Sequence, residues 1–456
     1  MILDRDSQAI VAQCTPKGSG ALALIRISGV NALEIVSQYA VLPSGKALLD
    51  VPTHTIHYGS IVEKNELVDR VMFFVMHEPH TFTGLNTVEI TCHNNPFIIE
   101  KIIELSILCG ARLAQQGEFA KRAFLNGKID LIQAEAINEL IHASNQMALR
   151  QSLAQLEGSF SHWITDIEKT LVKCLAFSEA SFEFIEEENM EFGSQISQEI
   201  DRLISNIQTI KKTFDQQQHI RQGVRIALIG SVNAGKSSLF NALINQKRAI
   251  VTDIAGTTRD VIEAGMYNNG NYWTLVDTAG LRQTDDIIEK EGIARSMQEA
   301  QKADIVLLIY DRSRVMIQQE RELYDMLHAQ YAHKIITIAH KVDLPKKTQL
   351  NYLDEIGCSS QTHENLENVH SAIQTKINDL FTSIASPFLL NKRHFNLLLS
   401  LECTLLEIKN MLKGAIEYEL LSCHLKDALE SLTELTGKSI AEKGMDAVFR
   451  EFCVGK

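Results

Sequence analysis

The stretch "IALIGSVNAGKSSLFNAL" at 226–243 decides the fold of the middle of this 456-residue chain. An apolar run of strand length leads into residues 230–237, which match the pattern G-x-x-x-x-G-K-[ST], and a helix-like segment follows. The glycines let the backbone wrap around phosphates, and the N–H groups at a helix N-terminus attract an anion. This stretch therefore predicts a P-loop nucleotide-binding domain.

Strand and helix patterns alternate around this stretch from residue 223 to about 385, which is typical of βαβ units on a parallel sheet. Helical patterns occupy 117–218 and the chain after Pro387, and the first 120 residues mix short strands with helices. The sequence thus predicts an α+β N-terminal domain and one helical domain in two segments, with an α/β domain inserted between them. Strands are predicted at 21–29, 70–78, 86–93, 225–230, 272–280, 303–311 and 334–343, and a helix at 95–111. The predicted domains are 1–120, 121–218, 219–382 and 383–456.

Bulk composition narrows the function classes. The net charge of −13 implies no broad basic surface, so nucleic acid is expected to bind at a local patch or with a partner's help. The eight cysteines form no C-x-x-C pair, which argues against a zinc knuckle or a disulfide framework and fits a reducing cytosol. Residues 1–13 lack the layout of a signal peptide, and no apolar run approaches the ~20 residues that span a bilayer. We therefore expect a cytoplasmic protein without a membrane segment.

Magnesium and phosphate chemistry is predicted at three places. Lys236 of the P-loop reaches the β- and γ-phosphate oxygens, and the Ser237 hydroxyl binds Mg²⁺. Asp277 ends a strand in "VDTAG" and holds Mg²⁺ through water, while the Gly280 N–H senses the γ-phosphate. The segment "TDIAGTTRD" lies between these motifs, where a switch loop belongs, and Thr258 offers its hydroxyl to Mg²⁺.

Guanine selection is predicted from "HKVD", which follows a buried strand where a base-reading N-K-x-D motif stands. The Asp343 carboxylate can accept two hydrogen bonds from guanine, whereas adenine has no such donor pair. Lys341 lies along the base, and the loop around Ser359 closes over the guanine O6. His340 departs from the usual Asn and replaces only part of its hydrogen bonds, which weakens affinity, further so below pH ~6.5. The alternative is that "HKVD" is only a strand-to-loop turn.

The predicted GTP-binding residues belong to the P-loop, the two switch segments and the base-reading segments: Asn233, Ala234, Gly235, Lys236, Ser237, Ser238, Thr252, Asp253, Ile254, Ala255, Gly256, Thr257, Thr258, Asp277, Thr278, Ala279, Gly280, His340, Lys341, Asp343 and Ser359. Many GTP-hydrolysing switches carry, directly after the Gly of this motif, a Gln that orients water. Here that residue is Leu281, so the group that activates water has to lie elsewhere.

The motifs "GSVNAGKSSLFNAL", "AIVTDIAGTTRD" and "DTAGLRQTDD" and the final "FCVGK" resemble the MnmE (TrmE) family of tRNA-modifying GTPases. The N-terminal third, with "IVAQCTPKGSGALALIRISG" and "QGEFAKRAFLNGKIDLIQAEAINELI", resembles it as well, so the resemblance covers the whole chain. It implies a folate-binding, dimerising N-terminal domain, a helical domain from two chain segments and an inserted Ras-like G domain.

The resemblance also implies how water is activated. Family members bind K⁺ beside the phosphates and hydrolyse GTP when two G domains meet. The ion takes roughly the place of an arginine finger. The implied K⁺ ligands are Asn233, Thr252, Ile254 and Thr257. Lys236 and Glu289 are the implied catalytic residues, with Glu289 polarising water through a bridging water. On sequence alone Glu289 is equally an acid in a first helical turn, and Glu291 is easily confused with it.

A folate site is implied near the N-terminus, for 5-formyltetrahydrofolate or 5,10-methylenetetrahydrofolate. The matching residues are Arg26, Glu89, Lys128 and Lys456. A pterin presents the same N–H and amino edge as guanine, so Glu89 is a natural partner. Asn94 and Asn95 replace a Gly pair of the family, and "FTGLN" lacks its acidic pair; Asn tolerates positive φ, so the turn is expected to persist. Cys453 in "FCVGK" is a candidate for a role in modification.

The resulting hypothesis is a homodimeric, K⁺-stimulated GTPase that acts on tRNA. It works with the flavoprotein MnmG, in a heterotetramer, to add a (carboxymethyl)aminomethyl group at C5 of the wobble uridine. One rival is a ribosome-assembly GTPase of the Era or Der type, which would carry an RNA-binding domain after the G domain; none is evident after residue 385. The other rival is a scaffold with a degenerate G domain, which only His340 suggests.

Overall fold

The computed structural model describes residues 8–183, 192–212, 214, 223–245, 262–268, 271–277, 296–350, 352, 355–382, 387–414 and 416–455. The chain divides into two compact units. The first contains Met1–Asn138, Gln155–Leu203 and Leu399–Lys456, and the second contains Glu139–Ala154 and Ile204–Leu398. Residues 139–154 thus group with the second unit, and the bounds of the four predicted domains stay predictions.

The helices of the described residues are named in chain order. They are α1 (Ala32–Ser37), α2 (Pro96–Leu108), α3 (Glu118–Leu125), α4 (Leu131–Ile141), α5 (Gln146–Leu156), α6 (Ser159–Glu183), α7 (Phe192–Lys211), α8 (Lys236–Asn245), α9 (Gln318–Tyr331), α10 (Leu366–Thr382), α11 (Lys392–Met411), α12 (Tyr418–Thr436) and α13 (Glu442–Phe449). Among them, none combines the length and the apolar character needed to cross a bilayer.

The first unit contains a mixed sheet. Its strands are β1 (Ile10–Gln13), β2 (Leu22–Ser28), β3 (Ala40–Val41), β4 (Thr55–Glu63), β5 (Glu66–Met76), β6 (Thr87–His93) and β7 (Arg112–Leu113). Their order is β3-β4-β5-β6-β2-β1-β7, and all pairs are antiparallel except β1 with β7. The predicted strands at 21–29, 70–78 and 86–93 are confirmed as β2, β5 and β6.

One face of this sheet is buried and the other is partly open, because successive side chains of a strand point to opposite faces. On β2, Ile25 and Ile27 are buried and Arg26 between them is half-buried. On β6, Val88 is buried and its neighbour Glu89 is half-buried. Residues of α1 and α2 share the apolar core on the buried face. The open face is therefore where Arg26 and Glu89 lie.

The turn before α2 differs from the expectation that Asn94 and Asn95 take positive φ. Neither does, and Asn95 has φ −116° and ψ 127°. The Asn95 side chain instead caps α2, because its Oδ1 accepts a hydrogen bond from the Phe97 N–H at 2.9 Å. The Asn94 Nδ2 donates to the carbonyls of Gly18 and Gly20, at 2.7 and 2.9 Å. Amide side chains thus build a turn that needs no left-handed backbone.

The helical part of the first unit combines a chain segment that precedes residues 204–398 with one that follows them. Helix α6 packs along α12. The Ser178 and Ser422 hydroxyls of these helices lie 2.9 Å apart, and Lys426 pairs with Glu179 at 3.2 Å. The apolar stripes of two amphipathic helices can be buried against each other in this way.

The second unit contains a mostly parallel sheet in its described residues. Its strands are β8 (Val224–Gly230), β9 (Ile262–Asn268), β10 (Asn271–Asp277), β11 (Ile305–Asp311), β12 (Ile335–His340) and β13 (Ile356–Cys358). Their order is β13-β12-β11-β8-β10-β9, and only β9 with β10 is antiparallel. The strands predicted at 225–230, 303–311 and 334–343 are confirmed, as is the part of 272–280 that lies in β10. After β8 the chain first forms β9 and β10 on one side of β8 in the strand order, and it then forms β11 on the other side of β8. Ligands bind at the carboxyl ends of strands at such a switch point.

Candidate functional site

The P-loop leaves β8 at this switch point and enters α8. Asn233 and Gly235 have φ angles of 61° and 98°, so the loop needs residues that tolerate the left-handed region. A Cβ at Gly230 would overlap the Ile309 carbonyl oxygen of β11, and a Cβ at Gly235 would overlap the His340 ring of β12. The glycines are therefore required by close contacts with two neighbouring strands as well as by the loop's conformation.

Lys236 lies at the end of the P-loop, and its ammonium group reaches back to the start of the loop. Its ammonium donates to the carbonyls of Gly230 and Ser231, both at 2.8 Å, and the residue is 8% exposed. Burial lowers the pKa of Lys236, and the nearby Asp277 carboxylate opposes this effect. An ammonium has three donors, so a third N–H remains for a phosphate oxygen.

Ser237 and Asp277 meet at the point where a magnesium ion is predicted. The Ser237 hydroxyl donates to Asp277 Oδ2 at 2.7 Å, and Asp277 is 1% exposed. Hydroxyl and carboxylate oxygens are the ligands that Mg²⁺ prefers. The donor set fits the ion: Ser237 would be a direct ligand, and Asp277 would hold the ion through water.

His340 joins the P-loop to the loop after β13. Its Nδ1 lies 3.0 Å from the Ala234 carbonyl oxygen, and its Nε2 lies 2.7 Å from the Ser360 hydroxyl and 3.3 Å from the Ser360 N–H nitrogen. These partners fit a neutral ring that donates through Nδ1 and accepts at Nε2. Burial is the largest influence on the His340 pKa and lowers it, with Lys341 adding to the effect. Protonation is therefore displaced below the value of ~6.5 that the sequence suggests.

The remaining base-reading residues lie around this contact. Lys341, with φ 64°, donates to the Asn233 carbonyl at 3.0 Å and to Asp311 Oδ2 at 2.6 Å. Burial raises the pKa of Asp311, but hydrogen bonds from Lys341 and Ser313 outweigh it and the pKa is lowered overall. Asp343 is exposed two residues after Lys341. Ser359 is buried, and its hydroxyl accepts backbone N–H groups of its own loop.

Asp311, Arg314, Tyr324 and Ser360 also contribute to this edge of the sheet, and sequence reasoning missed all four. Tyr324 and Arg314 contact Ser231 from 93 and 83 residues away. The only local signal was the polar run "DRSR" directly after a buried strand, at the edge where ligands bind.

A second group of predicted residues meets on the open face of the first sheet. Arg26 and Glu89 face each other in the β2–β6 register, and Arg26 Nε and Nη2 both lie 2.7 Å from Glu89 Oε1. Each side chain is 20% exposed. The Arg26 guanidinium carbon lies 5.4 Å from the centre of the Phe119 ring. This is a pre-formed ion pair, backed by an aromatic ring.

The C-terminal tail reaches the same ion pair. The Gly455 carbonyl accepts from Arg26 Nη1 at 3.4 Å and from the Cys14 thiol at 3.2 Å. Val454 forms a β-bridge with Gln116. The tail is thereby fixed beside Arg26, with Cys453 exposed just before it.

Lys128 lies apart from these contacts in the described residues. Its side chain is exposed, and its Cε would lie 3.0 Å from a Cβ built on Gly84. It lines a cavity of about 330 Å³ with Asp130 and Lys438. The remaining predicted residues lie outside the described residues: Thr252, Asp253, Ile254, Ala255, Gly256, Thr257, Thr258, Thr278, Ala279, Gly280, Glu289 and Lys456.

Family models match nearly the whole chain. The model of the MnmE helical domain matches residues 131–453, and that of the GTP-binding protein TrmE N-terminus matches residues 9–128. The chain belongs to the MnmE family. The tRNA modification GTPase MnmE of Geobacillus kaustophilus (strain HTA426) is 36% identical over 98% of this chain and 99% of that protein. The same protein of Lactococcus lactis subsp. cremoris (strain MG1363) is 38% identical over 100% of both chains.

Membership of the MnmE family makes this chain one of the tRNA modification GTPases and sets aside the ribosome-assembly rival. GTP turnover in potassium buffer remains the test of the rival with a degenerate G domain. Among solved structures, the G domain of the T. maritima FeoB iron transporter is 29% identical. The matched region covers 34% of this chain and 98% of the FeoB chain, with a TM-score of 0.27.

Proposed function

We propose that this MnmE-family chain is a K⁺-stimulated GTPase that acts when two nucleotide-binding domains meet. Together with the flavoprotein MnmG it adds a (carboxymethyl)aminomethyl group at C5 of the wobble uridine of certain tRNAs. The observation that carries the proposal is the Arg26–Glu89 ion pair beside the C-terminal tail, in a chain that also carries a complete P-loop. These contacts support a nucleotide site around the P-loop and a site for a one-carbon carrier at the Arg26–Glu89 pair.

At the nucleotide edge, different side chains bind the phosphates, Mg²⁺ and K⁺ and activate the attacking water. Lys236 and the loop N–H groups bind phosphate oxygens, while Ser237 and Asp277 hold Mg²⁺, which neutralises phosphate charge when bound. The exposed Asn233 side chain offers a neutral carbonyl oxygen suited to K⁺, with Thr252, Ile254 and Thr257 as the other ligands. Glu289 polarises the attacking water in place of the missing Gln.

On the open sheet face, Glu89 binds the N–H and amino edge of a reduced folate. The folate is 5-formyltetrahydrofolate or 5,10-methylenetetrahydrofolate, and it supplies the one-carbon unit. Arg26 is held by Glu89, Phe119 and the tail, so its guanidinium is fixed for a ligand carbonyl or carboxylate. Lys128 and Lys456 complete the site, and Cys453 acts in the modification.

The proposed assembly is a homodimer through the N-terminal domain that associates with MnmG into a heterotetramer and works in the cytoplasm on tRNA. Its test is a mass-spectrometric profile of wobble uridines from cells that lack this chain. We expect the C5 (carboxymethyl)aminomethyl group to disappear and to return with the wild-type chain, but not with Lys236→Ala. A profile that is unchanged without the chain contradicts the proposal.

A further inference from the structure

A buried tyrosine from α9 contacts the start of the P-loop. The Ser231 N–H donates to the Tyr324 hydroxyl oxygen at 2.9 Å, and that hydroxyl donates to the Ile309 carbonyl at 2.9 Å. Tyr324 is fully buried, and burial raises its pKa, so the hydroxyl keeps the proton that it donates. One hydroxyl thus joins strand β11, at Ile309, to the first residue after β8.

An arginine contacts the same residue from the loop before α9. Arg314 Nη2 donates to the Ser231 hydroxyl oxygen at 2.9 Å and also pairs with Glu320. The hydrogen bond with Glu320 is the largest cause of a raised Arg314 pKa, so the guanidinium stays charged. Glu320 accepts the Ile317 N–H at 3.3 Å, which ties this ion pair to the N-terminus of α9.

Ser231 is therefore held at both its N–H and its hydroxyl, and its carbonyl accepts Lys236. We propose that Tyr324 and Arg314 are positioning residues for nucleotide binding, which fix Ser231 so that the loop behind it is pre-formed for phosphates. Neither side chain is assigned a contact with the nucleotide. Their effect passes through Ser231 to the loop that carries Asn233 and Lys236.

The contacts act on the part of the loop that binds GDP and GTP alike. A pre-formed loop stabilises the substrate and the transition state equally, so its loss raises dissociation constants and leaves kcat nearly unchanged. A role confined to fold stability would instead lower the melting temperature without changing affinity. The two roles therefore separate in a comparison of affinity, kcat and melting temperature.

The experiment measures the affinity of a fluorescent N-methylanthraniloyl-GDP and of GTP, together with kcat, in the full chain with Tyr324→Phe. We expect the Kd for both nucleotides to rise about five- to ten-fold, the effect on the loop of losing the hydrogen bond from the partly buried Ser231 N–H. Turnover at saturating GTP is expected to stay within about two-fold. The control Tyr331→Phe removes a hydroxyl from the last residue of the same helix and leaves Kd unchanged. A Kd within two-fold of the wild type overturns the proposal.

A double-mutant cycle keeps the test decisive if Tyr324→Phe does not fold. Arg314 is 36% exposed, so Arg314→Ala costs little packing, although it removes the pair with Glu320 as well as the contact with Ser231. Ser231→Ala removes the hydroxyl that Arg314 contacts. We expect Arg314→Ala to weaken GDP binding in the wild-type background and to have no further effect in the Ser231→Ala background. Equal effects in both backgrounds mean that Arg314 does not act through Ser231, and they overturn its assignment.

Discussion

The proposed folate site and the proposed guanine site are each assigned a carboxylate that accepts hydrogen bonds from an N–H and amino edge. The two carboxylates, Glu89 and Asp343, are held in opposite ways. Glu89 lies on β6 within a sheet, where Arg26 Nε and Nη2 fix it at 2.7 Å. Asp343 lies in the loop after β12 and is exposed. The strand-borne carboxylate is positioned before any ligand arrives, whereas the loop-borne one depends on its neighbours.

Those neighbours are His340 and Lys341, whose contacts with the P-loop fix the start of the base-reading loop. The nucleotide edge is therefore a set of loops braced against each other, while the Arg26–Glu89 site is built on paired strands. Damage to one loop contact should spread along the nucleotide edge, whereas damage to the ion pair should stay local.

The largest expected effect is on the nucleotide edge. Asn233→Gly removes the side-chain carbonyl proposed to bind K⁺, and glycine keeps the φ of 61° without strain. We expect GTP hydrolysis in KCl to fall about 10²-fold, as for loss of one electrostatic stabiliser of the transition state. Rates are compared in KCl and NaCl at equal ionic strength, with 5-formyltetrahydrofolate binding as the control that should not change. Equal wild-type rates in the two salts would show that K⁺ has no special role.

A smaller effect is expected from the strand-borne site. Glu89→Ala leaves Arg26 without its partner and removes the proposed acceptor for the pterin edge. Since hydrogen bonds to charged groups contribute about 1.5–3 kcal/mol, we expect the Kd for 5-formyltetrahydrofolate to rise about 10- to 100-fold. Calorimetry measures the affinity, and GTP turnover should persist. Glu66→Ala, an exposed change on β5 of the same sheet, is the matched control, and equal affinities in the two variants would remove Glu89 from the site.

The smallest effect tests the loop contacts. His340→Asn restores the usual amide, and we expect GDP to bind about five-fold more tightly at pH 8, equivalent to one hydrogen bond of ~1 kcal/mol. The lowered pKa keeps His340 neutral at pH 8, and the unfolded chain takes up a proton first as the pH falls below ~6.5. Stability present above that pH is then lost toward the folded-state pKa, and protonation there removes the acceptor for Ser360.

The wild type should therefore lose thermal stability between pH 6.5 and pH 5.5 more steeply than His340→Asn, and it should lose GDP affinity more steeply as the pH falls toward the lowered folded-state pKa. Titration of both proteins at pH 8, 6.5 and 5.5 measures the difference. ATP is included as a competitor, because Asp343 should keep guanine selection intact. The prediction is wrong if the variant binds GDP no more tightly at any pH, or if ATP competes in the wild type.

The sequence predicted the elements whose signal, a motif or a hydrophobic pattern, lies within one short stretch of the chain. The strand–loop–helix of residues 224–245 follows from one motif, β2, β5, β11 and β12 follow from apolar runs, and β6 follows from an alternating pattern. The short strands β1, β7 and β13 carry too few residues for a periodic signal. The Asn95 cap was missed because Asn serves both as an N-cap and as a left-handed turn residue, and only the backbone decides between the two.

The contacts between distant residues could not be predicted. Arg26 and Glu89 were each assigned to the folate site, but their ion pair depends on the β2–β6 register across 63 residues. Tyr324 looks like any tyrosine on an amphipathic helix until α9 is placed beside Ser231. A sequence pattern reports which face of an element is apolar, not which distant backbone group that face will meet.

The docking of Gly455 beside Cys14 and Arg26 also orders events during synthesis. The Cys14–Gly455 contact joins residues 441 positions apart, so at roughly 5–20 residues per second the ribosome needs roughly 20–90 s to supply the second partner. The N-terminal sheet can form long before that, with its Arg26–Glu89 pair but without the tail. A chain cut short between residues 245 and 453 would carry the P-loop and the ion pair yet lack this contact.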